Sequence, residues 1–167
     1  PPTGPGSPWF SPACVISGIS MAAADSPFDA SMQHWLQVRV YYEDTDFTGM
    51  VYHANYLRFF ERGRSEFLRD AGVSHQSLLS RPDPAAFTLT NVNVDYRKAA
   101  RIDDQLSIRS RYTGARGARI LFEQAAMRDG EIIAKATVTA VMIHADGRPR
   151  RPIPEVVAQL EPFVFKG

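Results

Sequence analysis

Glu43, Asp44 and Asp46 crowd into four residues of the stretch EDTDFTGMVYHANY, and Gly49, His53 and Asn55 follow within the next nine. A carboxylate can act as a general base on water or as a nucleophile on a carbonyl carbon. A helix that starts near His53 or Ala54 would aim unpaired backbone N–H groups at the same space, and such amides stabilise developing negative charge. A carboxylate opposite a carbonyl held by helix amides is the minimum apparatus for acyl transfer to water. Gly49 would supply the turn or let a substrate approach the backbone. A plainer reading stands beside this one, because acids ahead of a helix also serve as caps and dipole partners. His53 by itself fits a helix-start or hydrogen-bonding residue better than a catalytic base.

The flanking segments must position these groups. Residues 36–43 alternate, with Val38, Val40 and Tyr42 against Gln37, Arg39 and Tyr41, which predicts a half-buried strand. Residues 54–71 suit a helix about 27 Å long, with Tyr56, Leu57, Phe59, Phe60, Gly63, Phe67, Leu68 and Ala71 on one face. Arg64 falls within that apolar face by angle, so it is expected to snorkel or to pair with Glu61. Gly63 in mid-helix lowers helix propensity by about 1 kcal/mol, which suggests a sheet lying close to it. Gly72 marks the helix end, SHQSLLS (74–80) predicts a further short helical turn, and RPDP breaks it.

Strands are expected at 87–96, 105–112, 118–128 and 131–143. The first changes its apolar positions from odd to even, which predicts a bulge. Asp129-Gly130 predicts a tight hairpin between the last two. Ile132, Ala134, Ala136, Val138, Ala140 and Met142 form a face of mostly small residues, suited to lying near a helix. With hairpin-scale loops and no alternating strand–helix units, the sheet should be mainly antiparallel, giving an α+β fold with one long helix against a curved sheet of about five strands.

The chain of 167 residues, 44% hydrophobic and 22% charged, fits one ordinary globular domain. Its formal net charge of +1 gives no reason to expect nucleic acid or an anionic membrane as partner. No basic residue precedes Arg39, and no apolar run is long enough for a membrane span. The lone Cys14 excludes a disulfide within the chain and fits a cytoplasmic location. Residues 1–31, rich in Pro, Ser, Gly and Ala, read as a flexible tail with Met21 as a plausible natural start, leaving 32–167 as a single domain. The four histidines show no paired metal-ligand spacing, and HExxH, CxxC and GxSxG are all absent, so neither a metal nor another cofactor is expected.

The run YYEDTDFTGMVYHANYLRFFERGRSE resembles the hotdog-fold acyl-CoA thioesterases of the 4-hydroxybenzoyl-CoA thioesterase family, in particular the YbgC-type branch with its YYEDTDxxGxVYHxxY pattern. The likeness extends over roughly residues 36–160 and includes VDYRKAARIDDQL and ARGARILFEQ. It implies a long helix wrapped by an antiparallel sheet, and hydrolysis of acyl-CoA to a carboxylic acid and CoA. Asp46 would be the catalytic carboxylate, as base or nucleophile. The backbone amide of His53 would hold the carbonyl oxygen, while Asp44 and Glu43 shape the loop. Gly49, Tyr52, Asn55, Tyr56 and Phe60 are the expected substrate contacts, with Phe47 and Thr48 tuning the acyl preference.

In the family the loop before the fourth strand helps to hold the CoA phosphates, which points to Arg116 and Gly117. Arg119 stands there where the family pattern has a small hydroxyl residue. Resemblance also implies a homo-oligomer, a dimer or a tetramer of two dimers, with the site between subunits; acyl carrier protein thioesters are further candidate substrates. A non-catalytic acyl-thioester-binding oligomer and a hotdog dehydratase or hydratase are the competing readings. Asp46 and Gly49 favour turnover over mere binding, and the DTD and YHxNY elements speak against the dehydratases.

Overall fold

The structure, a computed structural model, describes residues 26–167. Most of the stretch assigned to a tail, with Cys14 and Met21, lies outside the described residues. Within them the chain runs β1 (Gln33–Arg39), α1 (Asn55–Asp70), α2 (His75–Leu79), β2 (Ala85–Tyr96), β3 (Gln105–Arg116), β4 (Arg119–Arg128), β5 (Glu131–His144), β6 (Pro149–Arg150) and α3 (Pro154–Leu160). The strands form one antiparallel sheet in the order β1-β3-β4-β5-β2, and β6 adds to β5, so there are six strands rather than five. The hotdog arrangement expected from the sequence is the one observed: α1 lies along the sheet's inner face.

Strand β2 shifts register between Leu89 and Asn91, where the apolar pattern changes parity. The bulge keeps Phe87 and Leu89 before it, and Val92 and Val94 after it, opposite the buried Met142, Ala140, Val138 and Ala136. Asp129 and Gly130 both take positive φ, 52° and 79°, as a two-residue hairpin with native strand twist requires.

The strand expected at 36–43 instead starts at Gln33 and stops at Arg39. Val40 is still buried, but the Asp44 carboxylate accepts the Tyr41 N–H at 2.9 Å, and residues 42–44 turn into a short 3-10 helix that leaves Tyr42 exposed. A local side-chain bond therefore ends an alternation that continues in the sequence. Ahead of β1, Phe28 contacts the rings of His34, Phe67 and Phe163, and Asp29 accepts from Ser31, Gln33 and Trp35. The folded body thus begins before residue 32. The short α3, with Pro154 at its start and Val156 and Leu160 buried, has no counterpart among the expected elements.

Gly63 is where helix and sheet meet most closely. A Cβ there would lie 2.8 Å from Ile108 Cγ2 and 2.9 Å from Ser110 Oγ. The contact is with β3 and β4, and α1 packs most extensively over β1, β3 and β4. Arg64 is buried beside this contact and donates to Gln124 Oε1 at 2.7 Å, a partner 60 residues away rather than Glu61. The Gln124 amide nitrogen in turn donates to Phe60 O and Ser110 Oγ.

Candidate active site

The sequence DFTG forms a tight turn because two backbone bonds close it. Asp46 N–H donates to Met50 O, and Gly49 N–H donates to Asp46 O, each at 2.9 Å. Thr45 and Val51 bridge at its base. Gly49 takes φ +73°, and a Cβ on it would meet nothing within 4 Å, so the glycine serves the backbone conformation and no protein group crowds it. The turn is fastened to the segment before β3 by the Met50–Arg101 bridge and by Val51 N–H donating to Ala100 O.

Asp44 is only 4% exposed and works as a frame. Its carboxylate accepts the Tyr41 N–H, and its carbonyl accepts both the Tyr52 N–H and the Asn55 side-chain amide, each at 2.9 Å. Asn55 thereby ties the first turn of α1 to the loop. One N–H of its side-chain amide makes that tie, which gives Asn55 a positioning role.

Asp46 stands on the exposed side of the same turn. Its Oδ1 accepts from both the hydroxyl and the N–H of Thr48, while Oδ2 has no hydrogen-bond partner among the described residues. The Thr48 hydroxyl above all, then its N–H, and more weakly the nearby His53, hold the Asp46 carboxyl below the ordinary carboxylate range. Asp46 thus caps its own turn through one oxygen and does not cap α1, whose start carries no side-chain cap. The other oxygen is left ionised and accessible.

Helix α1 begins with Asn55 N–H donating to Tyr52 O and Leu57 N–H to Ala54 O. Among the described residues the amides of His53 and Ala54 donate to none. His53 is exposed, its ring centroid 4.5 Å from that of Tyr52, and its carbonyl accepts the Tyr96 hydroxyl at 2.9 Å. Tyr96 is a site residue that the sequence reading missed. It ends β2, 43 residues from His53, and only the tertiary fold brings the two together. A groove beside the helix start is lined by Val51, His53, Tyr56, Tyr96, Arg97 and Lys98, among others, with Arg97 and Lys98 paired to Asp95 and Glu131.

Tyr56 lines that groove while being 3% exposed, and its hydroxyl accepts the Ala100 N–H at 3.0 Å; burial pushes its pKa up. Phe60, on the inner face of α1, is fully buried in the core. Arg116, Gly117 and Arg119 form the exposed tip of the β3–β4 hairpin. The Asp46 turn lies by the start of β3, and twelve residues of strand separate the two ends, on the order of 35 Å. Within one chain the structure does not bring them together. Among the described residues no group of three His, Cys, Asp or Glu side chains is placed to hold a metal ion, and no helix is long and apolar enough to cross a membrane.

Comparison with known proteins places this geometry. The thioesterase-like superfamily matches residues 40–160. The acyl-CoA thioesterase YbgC of Haemophilus influenzae is 46% identical over 106 residues, covering 64% of this chain and 77% of that protein. The acyl-CoA thioester hydrolase YbgC of Escherichia coli is 37% identical over 126 residues, covering 74% and 92%. The crystal structure of a probable thioesterase from Bartonella henselae superposes with a TM-score of 0.70 at 41% identity, covering 72% of this chain and 99% of that one. With the family match spanning most of the chain and YbgC relatives at up to 46% identity, the chain belongs to the thioesterase-like superfamily, on its YbgC-type branch of hotdog-fold acyl-CoA thioesterases.

Proposed function

We propose that the protein hydrolyses acyl-CoA thioesters, with Asp46 as the reacting carboxylate and the His53 amide, supported by that of Ala54, as the oxyanion hole. The observation that carries this reading is the pairing of an ionised carboxylate, one oxygen unused, with unengaged amides at the start of α1. The thioester carbonyl oxygen rests on the amides, which gain strength as negative charge develops on it. Asp46 Oδ2 takes a proton from water as the hydroxide oxygen bonds to the carbonyl carbon; the C–S bond then breaks and the proton passes to the departing CoA thiolate. In the nucleophilic variant the carboxylate itself bonds to the carbon, and water later cleaves the anhydride. Single turnover in ¹⁸O-water separates the two, since only the second leaves label in the protein.

The assembly follows from the sheet. Among the described residues β2 is a twelve-residue edge strand paired only with β5, and an edge of that length invites a second copy. A homodimer through this edge, and a tetramer of two dimers, would set the Arg116–Arg119 tip of one subunit free to hold CoA phosphates bound at another. A monomer in sedimentation at micromolar concentration would overturn the oligomer. The activity itself is tested by thiol release from short, long and aromatic acyl-CoAs and from acyl carrier protein thioesters. Asp46→Asn keeps the turn-capping oxygen and loses the base, so a rate loss of ~10² or more is expected in a folded protein. An unchanged rate would remove Asp46 from the chemistry.

A further inference from the structure

A second cavity opens between α1, α2 and the inner face of the sheet; like the groove at the helix start, it is bordered by α1 and β2. Leu68, Phe87, Ile120 and Phe122 make it apolar, and Arg64 and Glu61 give it charge. Arg64 is 9% exposed and sits on the apolar face of α1. Its one hydrogen bond among the described residues goes from Nη1 to Gln124 Oε1. Gln124 is fully committed by its own bonds to Phe60 O and Ser110 Oγ, so it fixes the guanidinium in place without neutralising it. Glu61 acts on Arg64 only through its field, because its carboxylate is exposed and accepts from Ser65.

A guanidinium carries five N–H donors and stays charged even where burial disfavours the charge. Nε and Nη2 of Arg64 have no hydrogen-bond partner among the described residues and are not fully buried, and the residue lines the cavity. A fixed, buried cation with free donors in an apolar cavity is costly unless something anionic or strongly accepting meets it. Packing alone would be served better by an aliphatic side chain.

We propose that this cavity receives the far end of the acyl group, and that Arg64 selects acyl chains ending in a carboxylate. This rests on the thioesterase reading above. Arg64 lies eleven residues beyond His53 on the helix, about 16 Å along its axis. The selected substrates are therefore medium- or long-chain α,ω-dicarboxylic acids held as mono-CoA thioesters, with hydrocarbon against the apolar wall and the free carboxylate on the guanidinium.

The test compares kcat/KM for ω-carboxy and unsubstituted acyl-CoAs of matched length in the wild type, Arg64→Met and Arg64→Lys. Among the longer pairs the wild type should favour the ω-carboxy member. Arg64→Met should shift that ratio on the order of 10- to 100-fold toward the plain chain, with Arg64→Lys between. Leu89→Trp, at the cavity rim where Leu89 is exposed, should depress both long substrates and spare short ones. A second readout needs no turnover: free medium-chain dicarboxylic acids should raise the Tm of the wild type and not of Arg64→Met. If no thioester is cleaved but this Arg64-dependent shift appears, the cavity assignment stands and the thioesterase reading falls. An ω-carboxy preference that is absent from the wild type, or unchanged in folded Arg64→Met and Arg64→Lys, overturns the proposal. Should Arg64→Met not fold, Arg64→Lys and Leu89→Trp carry the test, and long-chain rates unaffected by Leu89→Trp overturn it.

Discussion

Replacing Gly63 by alanine sets two effects of opposite sign against each other, and the structure says which is larger. In an isolated helix the change is favourable by about 1 kcal/mol, because glycine loses more backbone freedom on folding. Here the new methyl would stand 2.8 Å from Ile108 Cγ2, 2.9 Å from Ser110 Oγ and 3.2 Å from Gln124 Nε2. Carbon pairs attract best near 3.5–4.0 Å, so the overlap with Ile108 is about 0.7 Å or more. Relieving it must move β3 from α1 or disturb the Gln124 bonds that hold Arg64. Overpacking of this kind costs about 1–3 kcal/mol, and the involvement of Ser110 and Gln124 puts it in the upper part of that span. The expected net loss is about 1–2 kcal/mol, or a Tm lower by about 2–8 °C for a chain of this size. Urea unfolding of both proteins with unchanged m-values measures it. Gly63→Ala more stable than wild type by about 1 kcal/mol would mean that propensity rules and that helix and sheet are not in contact there. Asparagine separates this cause from a backbone one. Gly49→Asn should be well tolerated, since asparagine accepts positive φ and a Cβ has open space there, whereas Gly63→Asn should be worse than Gly63→Ala.

Two further outcomes probe the catalytic turn. Asp46 must be ionised to act, and its folded pKa is depressed, so kcat/KM should hold steady from neutral pH downward and fall only below the ordinary carboxylate range. Thr48→Val removes the largest cause of that depression, and the acid limb of the profile should move to higher pH; a limb that stays in place would mean that Asp46 is not the titrating group. The same sign governs folding: whatever stability the Asp46–Thr48 bond contributes is present above the unfolded pKa and lost as pH falls through the folded one. Asn55→Ala removes the buried tie to Asp44 O and should cost about 1–2 kcal/mol in unfolding experiments. It should also lower kcat on the order of 10-fold or more, because helix start and turn lose their register; full activity would show that the tie does not position the site.

Much of this molecule is legible along the chain. The parity change in residues 87–96 specifies a bulge, because side chains alternate strictly in a strand and a shared buried face forces an extra residue. Gly63 on an apolar helix face announces a close neighbour, and Asp129-Gly130 a hairpin, since each is a local conformational or steric requirement written in one or two residues. The EDTDFTG and YHANY elements likewise contain the turn, its carboxylate and the helix start. What the chain could not disclose by itself is which groups meet across long separations. Tyr96 reaches the His53 carbonyl because β2 ends beside α1. Arg64, expected to reach Glu61 or solvent, is claimed by Gln124 because the sheet covers that side of the helix. Asn55 and Phe60 stand in the motif as expected substrate contacts, and only the fold shows that one also ties the helix to Asp44 O and that the other is buried in the core. Periodicity says that a residue faces inward, and only the tertiary structure decides whether inward means the core, a hydrogen-bonded frame or a cavity.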